Sequence, residues 1–345
     1  MDKNRSIYQQ VYQQVYQQVP CRNSVKIYQQ VPLNGVTQRF GEDKSTMARR
    51  TPSSCALFVL LSSPNPLRLP FSGNCCQSIA FKKFASNDCF KDNSLMSLIF
   101  NPPIIAHRGA SAYAPENTFA AFQKAKELGM YWVEFDVQLT RDGEIVIFHD
   151  DTLNRTTNGH GKLLRHTDAS LRSLDAGSWF HSNFSEERIP RFSDVLDYLR
   201  KTQLSANVEL KPHSGFEEWL VMKILEKMTQ IPNLIPHLLF SSFSVVALEY
   251  MRQHHGLLQL GMLMDAWSLK RVEVAKHLKC VSIHLNHKIV TQERIKDLKS
   301  RGFRVLCYTV NDQKRASTLF SWGVDAVFSD CPDQILGSVN LRRET

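Results

Sequence analysis

The sequence has 345 residues, of which 43% are hydrophobic and 22% are charged, an ordinary composition for a globular protein. Its net charge of +9 is uneven: residues 1–95 hold 12 Lys and Arg against 5 Asp and Glu, a net +7, and the remainder carries only +2. The later part of the chain is therefore close to neutral, which excludes a strongly basic nucleic-acid-binding domain, and no nucleic-acid partner is expected.

Residues 1–95 show no sustained helix or strand periodicity. The motif Tyr-Gln-Gln-Val recurs at Tyr8, Tyr12, Tyr16 and Tyr28, a repeat too short to build a repeat domain. A segment of this composition buries too little apolar surface to offset the entropy of ordering, so a low-complexity, disordered segment is predicted. In an alternative interpretation, translation begins at Met96 and the segment belongs to an over-extended reading frame.

The lengths of the apolar runs and the spacing of the cysteines indicate in which cellular compartment the protein is expected. The most apolar early run, CALFVLL at residues 55–61, is far shorter than the roughly 18 to 20 residues that cross a bilayer, so no membrane span is predicted. The eight cysteines show neither metal-ligand spacing nor a disulfide framework. A cytoplasmic location is expected, with a periplasmic one as the alternative.

From Ile104 onward, short apolar runs alternate with longer amphipathic runs, the pattern of repeated βα units. Strands are predicted over residues 104–107, 131–139, 145–149, 206–211, 238–243, 259–263, 280–285, 304–310 and 326–329. Helices are predicted over residues 118–128, 193–201, 217–228, 245–254, 269–278, 292–301 and 312–321.

The number of strands predicts the fold of residues 100–340. If residues 145–149 extend the second strand, eight strands remain in about 235 residues, the size of a single (β/α)8 TIM barrel. A doubly wound open sheet is less favoured, because no glycine-rich phosphate loop follows the first strand. The polar stretch at about residues 150–190 interrupts the alternation, and we predict that it is a small insertion over the strand ends.

Acidic residues recur on the predicted strands. The second strand contains Glu134 and Asp136, and residues 206–211 include Glu209 and Lys211. Because side chains alternate along a strand, the members of each pair share a face, and three carboxylates converge if those faces line the barrel. Their repulsion favours a bound divalent cation, Mg²⁺ or Ca²⁺. Alternatively, Glu134 pairs with an arginine and Asp136 caps a strand.

Two histidines and two cations complete this set. His107 and His149 end predicted strands and could accept and donate protons near neutral pH. Arg108 could bind a phosphoryl oxygen through its planar guanidinium, and Lys211 could offer a point charge. Structural histidines and ordinary ion pairs are the alternatives.

Several segments of the sequence resemble the glycerophosphodiester phosphodiesterase family. They are AHRGASAYAPENTFAAFQKAKELG, VEFDVQLTRDGEIVIFHDDTLNRTTNGHG, DAGSWF, IPRFSDVL and NVELKP, with weaker agreement in GFRVLCYTVND and GVDAVFSDCPD. The resemblance implies a barrel with an insertion over its mouth, a divalent metal at Glu134, Asp136 and Glu209, and paired catalytic histidines at His107 and His149.

The resemblance also implies a substrate site. Arg108 and Lys211 match phosphate-binding positions, and Glu116 matches a carboxylate that lines the site and orients Arg108. Tyr308 departs from the pattern, since many members have Trp-Thr-Val-Asn where this chain has Tyr-Thr-Val-Asn. Tyrosine keeps an aromatic wall for the substrate but adds a hydroxyl, so the departure leaves the substrate preference open while the expected reaction is unchanged.

The expected reaction is metal-dependent hydrolysis of a small-molecule glycerophosphodiester to glycerol 3-phosphate and an alcohol. In this hypothesis His149 protonates the leaving alcohol and His107 activates the attacker; the reversed assignment is the alternative. The attacker is water, or the substrate's own glycerol hydroxyl with a cyclic phosphate intermediate. The alternatives are a lysophospholipase D, a phosphoinositide-type phospholipase, and a barrel that binds phosphodiesters without cleaving them.

Overall fold

The computed structural model describes residues 98–340; the predicted disordered segment and the alternative start at Met96 lie outside this range. The described residues form nine strands: β1 (Ile104–Ala106), β2 (Trp132–Leu139), β3 (Ile145–Ile147), β4 (Ser205–Leu210), β5 (Leu238–Ser242), β6 (Gln259–Met264), β7 (Ser282–Asn286), β8 (Arg304–Tyr308) and β9 (Ala326–Ser329).

The α-helices of this range are α1 (Phe119–Glu127), α2 (Asp168–Leu171), α3 (Phe192–Thr202), α4 (Glu217–Met228), α5 (Val245–His254), α6 (Leu269–His277), α7 (Gln292–Ser300), α8 (Gln313–Ser321) and α9 (Pro332–Asn340). Helices α2 and α9 were not predicted; the other seven match the predicted runs within two residues. Between residues 98 and 340 no helix is long and apolar enough to cross a membrane.

Eight parallel strands close into a barrel. The order is β1-β9-β8-β7-β6-β5-β4-β2, and β1 also pairs with β2, which closes the ring. A doubly wound open sheet has two unpaired edge strands, and this sheet has none among its parallel members. The predicted (β/α)8 barrel is confirmed.

Strand β3 corrects one prediction, because it does not extend β2. It runs antiparallel to β2, with Val137 opposite Ile147. The reversal occurs at Gly143, whose φ of 80° lies in the left-handed region that glycine adopts at little cost. A Cβ at this position would stand 2.5 Å from Cζ2 of Trp219, so the hairpin requires glycine. The chain therefore folds back beside β2 before it reaches His149.

Residues 150–190 pack with β3. A small apolar cluster joins them: Val146, Phe148, Leu153, Leu163, Leu171, Ala176 and Ile189. The guanidinium of Arg191 also pairs with the carboxylate of Asp168, donating through Nε at 2.8 Å and through a second nitrogen. The insertion thus has its own core and an anchor at its C-terminal end.

Alternation along β2 separates the core from the site. Val133, Phe135 and Val137 pack in the apolar layer between strands and helices. The intervening Glu134 and Asp136 therefore face the barrel interior. A second apolar cluster, which includes Ile105, Trp132, Leu239, Leu306 and Phe328, fills the interior.

Candidate active site

Three carboxylates meet inside the barrel. Glu134 and Asp136 of β2 and Glu209 of β4 each offer one oxygen, and these oxygens lie within 4.8 Å of one another. Pairing of β2 with β4 places Asp136 directly opposite Glu209. Glu134 is 3% exposed and Asp136 is 1% exposed, so water screens their mutual repulsion poorly.

The environment of these acids fits a bound divalent cation. Burial, with the charges of Asp136 and Glu209, raises the pKa of Glu134 well above its ordinary value. Burial and the charge of Asp136 raise the pKa of Glu209 to about 7. Oxygen Oε1 of Glu134 is buried and has no hydrogen-bond partner within residues 98–340. A divalent cation would satisfy this oxygen and offset the repulsion, and three carboxylate oxygens suit a hard ion.

Arg108 contacts two of the acids from the loop after β1. Its backbone N–H donates to Glu134 Oε2 at 2.9 Å, and its Nε lies 3.5 Å from Asp136 Oδ2. The backbone bends sharply here, with a φ of 55° at Arg108 and 82° at Gly109. A Cβ on Gly109 would come within 2.6 Å of Ala121, so only glycine fits at that point.

Glu116 lies beside the guanidinium of Arg108. It accepts a hydrogen bond from Nη1 of Arg108 at 2.8 Å. Burial acts to lower the pKa of Arg108, but the charges of Asp136, Glu116 and Glu134 outweigh it and raise the pKa. Arg108 therefore stays charged beside the cluster.

Lys211 lies on the opposite side of the acids. Its Nζ is 3.5 Å from Glu209 Oε1 and 3.8 Å from Asp136 Oδ1. Burial acts to lower its pKa, but Glu209 and Asp136 raise it overall. For Asp136, burial acts to raise the pKa, and the charges of Arg108 and Lys211 lower it overall. One ionised acid thus lies between the side chains of two cationic residues.

His107 is oriented by Asp330, to which the sequence analysis gave no role. Its Nδ1 lies 2.7 Å from Asp330 Oδ1, and its Nε2 is 4.0 Å from Glu134 Oε2. Burial acts to raise the pKa of Asp330, but hydrogen bonds from His107, Asn311 and Ser111 lower it to about 2. An ionised carboxylate only accepts, so Nδ1 of His107 carries the proton and Nε2 is left free.

His149 has the same kind of partner. Its Nδ1 lies 2.7 Å from Asp150 Oδ1, the residue that follows it in the chain. Hydrogen bonds from Arg155 hold the pKa of Asp150 well below its ordinary value despite burial. Burial lowers the pKa of His149, although the charge of Asp136 opposes this shift. Both histidines thus have a carboxylate on Nδ1, a feature that the sequence analysis did not predict.

Tyr308 stands at the end of β8, next to two residues without an assigned role. Its hydroxyl donates to Asp265 Oδ1 at 2.8 Å, and the ring of Phe243 lies 6.0 Å away at 89°. Burial and the hydrogen bond to Asp265 raise the pKa of Tyr308. The charge of Glu209 also acts on this pKa, so Tyr308 lies within electrostatic reach of the acidic cluster.

The strand ends of this (β/α)8 barrel present an acidic cluster, two cations and two oriented histidines. This combination is typical of a metal-dependent phosphodiesterase. Residues 107–334 match the model of the Glycerophosphoryl diester phosphodiesterase family. The chain belongs to this family, and the resemblance noted in the sequence is confirmed.

The chain is similar to several known proteins over most of their length. It is 32% identical to a glycerophosphodiester phosphodiesterase of Caldanaerobacter subterraneus over 240 residues, 68% of this chain and 97% of that protein. A glycerophosphodiester phosphodiesterase of Bacillus subtilis is 32% identical over 249 residues, 66% of this chain and 83% of its own length.

A solved protein structure is also similar to this chain in sequence and in fold. An Oleispira antarctica phosphodiesterase, determined in complex with the product sn-glycerol-3-phosphate, has 37% sequence identity and a TM-score of 0.66. The match covers 69% of this chain and 97% of that chain.

Proposed function

We propose that this chain hydrolyses glycerophosphodiesters to glycerol 3-phosphate and an alcohol, with a divalent cation, Mg²⁺ or Ca²⁺, held by Glu134, Asp136 and Glu209. The observation that carries the proposal is the convergence of these three carboxylates beside two histidines. Family membership supports it, as does the product bound to the Oleispira relative.

The phosphoryl group binds between the cluster and the two cations. When bound, a divalent cation supplies positive charge to the phosphoryl oxygens. Arg108 and Lys211 bind the same group and offset the negative charge that develops during attack on phosphorus. Glu116 keeps the guanidinium of Arg108 in place, and the ring of Tyr308 forms a wall for the substrate.

The two histidines move the protons. Nε2 of His107 accepts the proton of the attacking hydroxyl, and the carboxylate of Asp330 stabilises the imidazolium that forms. Nε2 of His149 donates a proton to the leaving oxygen as the bond from phosphorus to that oxygen breaks. The attacker is water, which gives glycerol 3-phosphate directly, or the glycerol hydroxyl of the substrate itself, which gives a cyclic phosphate that water opens in a second step.

A panel of glycerophosphodiesters tests the reaction. The purified chain is assayed with glycerophosphocholine, glycerophosphoethanolamine and glycerophosphoglycerol in Mg²⁺, Ca²⁺, Mn²⁺ or chelator. We expect glycerol 3-phosphate with at least one cation and none in chelator. His107→Ala and His149→Ala are each expected to remove turnover while the fold is retained. Turnover that chelator does not affect would contradict the cation site, and no product with any cation would contradict the function.

Exposed apolar residues support a second candidate, a lysophospholipase D reaction. Phe243, Val246 and Leu269 are 37%, 45% and 54% exposed, and they follow β5 and β6 at the end of the barrel where Tyr308 lies. Side chains of this kind could contact the acyl chain of a lysophospholipid. A higher kcat/KM for lysophosphatidylcholine than for glycerophosphocholine would favour this candidate; the reverse ratio would favour the first.

A further inference from the structure

A single arginine of the insertion bridges two carboxylates that lie 34 positions apart in the sequence. Nε and Nη2 of Arg155 donate to the two oxygens of Asp150 at 2.7 and 2.9 Å. Nη1 and Nη2 donate to the two oxygens of Glu116 at 2.6 and 2.8 Å. The planar guanidinium therefore makes two forked contacts at once, which the single ammonium of lysine cannot reproduce.

Each bridged carboxylate holds a residue of the proposed site. Asp150 accepts from Nδ1 of His149 at 2.7 Å, and Glu116 accepts from Nη1 of Arg108 at 2.8 Å. The guanidinium of Arg155 is thus linked through one carboxylate to His149, the proposed proton donor, and through another to Arg108, a proposed phosphate-binding cation. Among the described residues, the salt bridges of Arg155 are made with these two carboxylates alone.

Charge explains why the bridge is needed. Asp150 and Glu116 are both ionised, because hydrogen bonds from Arg155 lower the pKa of Asp150, and Arg155 with Arg108 outweighs the effect of burial on the pKa of Glu116. Without Arg155 these two carboxylates would repel each other, and Asp150 would be free to turn away from His149.

The expected effect is on orientation more than on stability. The side chain of Arg155 is 45% exposed, and exposed ion pairs contribute little to the free energy of unfolding. The apolar cluster between β3 and the insertion, which includes Val146, Leu153 and Leu163, holds the surrounding chain without it. Loss of Arg155 should therefore leave the fold intact but allow the ring of His149 to change its orientation.

We propose that Arg155 is a positioning residue, which fixes Asp150 and Glu116 and thereby orients His149 and Arg108, so that the insertion forms part of the catalytic machinery. The inference rests on the proposed function, in which His149 and Arg108 act on the substrate.

The test compares two variants of Arg155 with the original full chain under saturating cation. In Arg155→Ala we expect kcat to fall roughly 10²-fold, as a displacement of about 1 Å at a catalytic group can cause, while KM changes less. Arg155→Lys, which keeps the charge without the fork, should recover part of kcat. Millimolar guanidinium should restore part of the turnover of Arg155→Ala, because it can occupy the vacated position.

Arg191→Ala is the matched control. It breaks the ion pair with Asp168 in the same insertion, away from the histidines. Its stability should fall, but kcat should stay near the original value and guanidinium should have no effect.

Two results would overturn the inference: a kcat of Arg155→Ala within a few-fold of the original chain, or a loss of activity that follows the loss of folded protein without rescue by guanidinium. If Arg155→Ala does not fold, Arg155→Lys and Arg155→Gln carry the same comparison. His149→Ala is assayed in parallel, because its turnover separates the two proposals. An active His149→Ala contradicts the role of His149 as proton donor, and absence of product from the original chain contradicts the proposed function itself. An inactive His149→Ala beside a fully active Arg155→Ala contradicts only the positioning role.

Discussion

His107 and His149 share one arrangement, although their partners come from different parts of the chain. Each has a carboxylate 2.7 Å from Nδ1, from Asp330 in one case and Asp150 in the other. Such a partner fixes the tautomer, orients the ring and stabilises the imidazolium. The two histidines therefore differ mainly in what holds the carboxylate: Ser111 and Asn311 for Asp330, and Arg155 for Asp150.

At Asp330 this arrangement predicts a loss of rate without a loss of fold. Asp330→Asn keeps the size of the side chain but removes the charge that stabilises protonated His107. We expect kcat for glycerophosphodiester hydrolysis to fall by about 10²-fold or more, the usual contribution of a general base. Steady-state kinetics at saturating cation measure this.

Asp333→Asn is the control for that measurement, since Asp333 accepts a hydrogen bond from Tyr113 at 2.7 Å and has no histidine as a hydrogen-bond partner in the part of the chain that the structure describes. Equal kcat values for the two variants would show that Asp330 has no special connection with His107.

Among the elements, the β2–β3 hairpin has the largest effect on the site. It reverses the chain so that His149 follows a short antiparallel strand beside β2, and the insertion then packs on that strand. Two residues of the proposed site, Asp136 and His149, thus come from adjacent parts of one hairpin. The turn at Gly143 makes this possible.

Gly143→Ala should destabilise the protein more than a comparable glycine substitution elsewhere. An alanine at a φ of 80° costs about 1–3 kcal/mol in backbone strain, and its Cβ would also displace the ring of Trp219. Gly129→Ala is the control, because its φ is 81° and no atom lies within 4 Å of the added Cβ. Urea unfolding of both variants gives the comparison. Equal losses of unfolding free energy in the two variants would mean that the ring of Trp219 moves aside without destabilising the protein.

At the scale of the whole molecule, closure of the barrel creates an unfavourable charge cluster. The fold is held by apolar layers on both sides of the sheet, and it places Glu134, Asp136 and Glu209 together where water is excluded. The free energy of this repulsion is a cost to the metal-free protein, and a cation bound at the proposed site would remove it.

This cost predicts a dependence of stability on pH. The pKa of Glu209 is raised from 4.5 to about 7, so its contribution to stability is full below pH 4.5 and is lost as the pH rises towards 7. In chelator, the Tm of the original chain should fall over this interval more than that of Glu209→Gln. Added Mg²⁺ or Ca²⁺ should raise the Tm of the original chain more than that of the variant.

Thermal unfolding at several pH values, with and without cation, measures both effects. Glu226→Gln is the control, since Glu226 is 60% exposed and pairs only with Lys223 in the described residues. Identical pH profiles for the original chain and Glu209→Gln would contradict the raised pKa. An equal response of their Tm to the cation would argue against Glu209 as a ligand.

A feature of the fold or of the site could be predicted from the sequence when the residues that determine it lie close together in the chain. Strand β2 alternates Val133, Phe135 and Val137 with Glu134 and Asp136, and this local pattern was enough to predict that the two acids share a face. The number of βα units was likewise enough to predict a barrel, because each unit is a local pattern of about 30 residues.

The tertiary structure alone decided the contacts between distant positions. His107 and Asp330 are 223 residues apart, and they meet only because β1 and β9 pair when the barrel closes. The fork of Arg155 on Glu116 likewise depends on how the insertion folds back over the strand ends. The sequence thus determined which side chains each strand presents to the interior, since that follows from backbone alternation. Closure of the barrel determined which of these side chains contact one another, since a hydrogen bond between residues far apart in the sequence produces no periodic pattern from which it could be predicted.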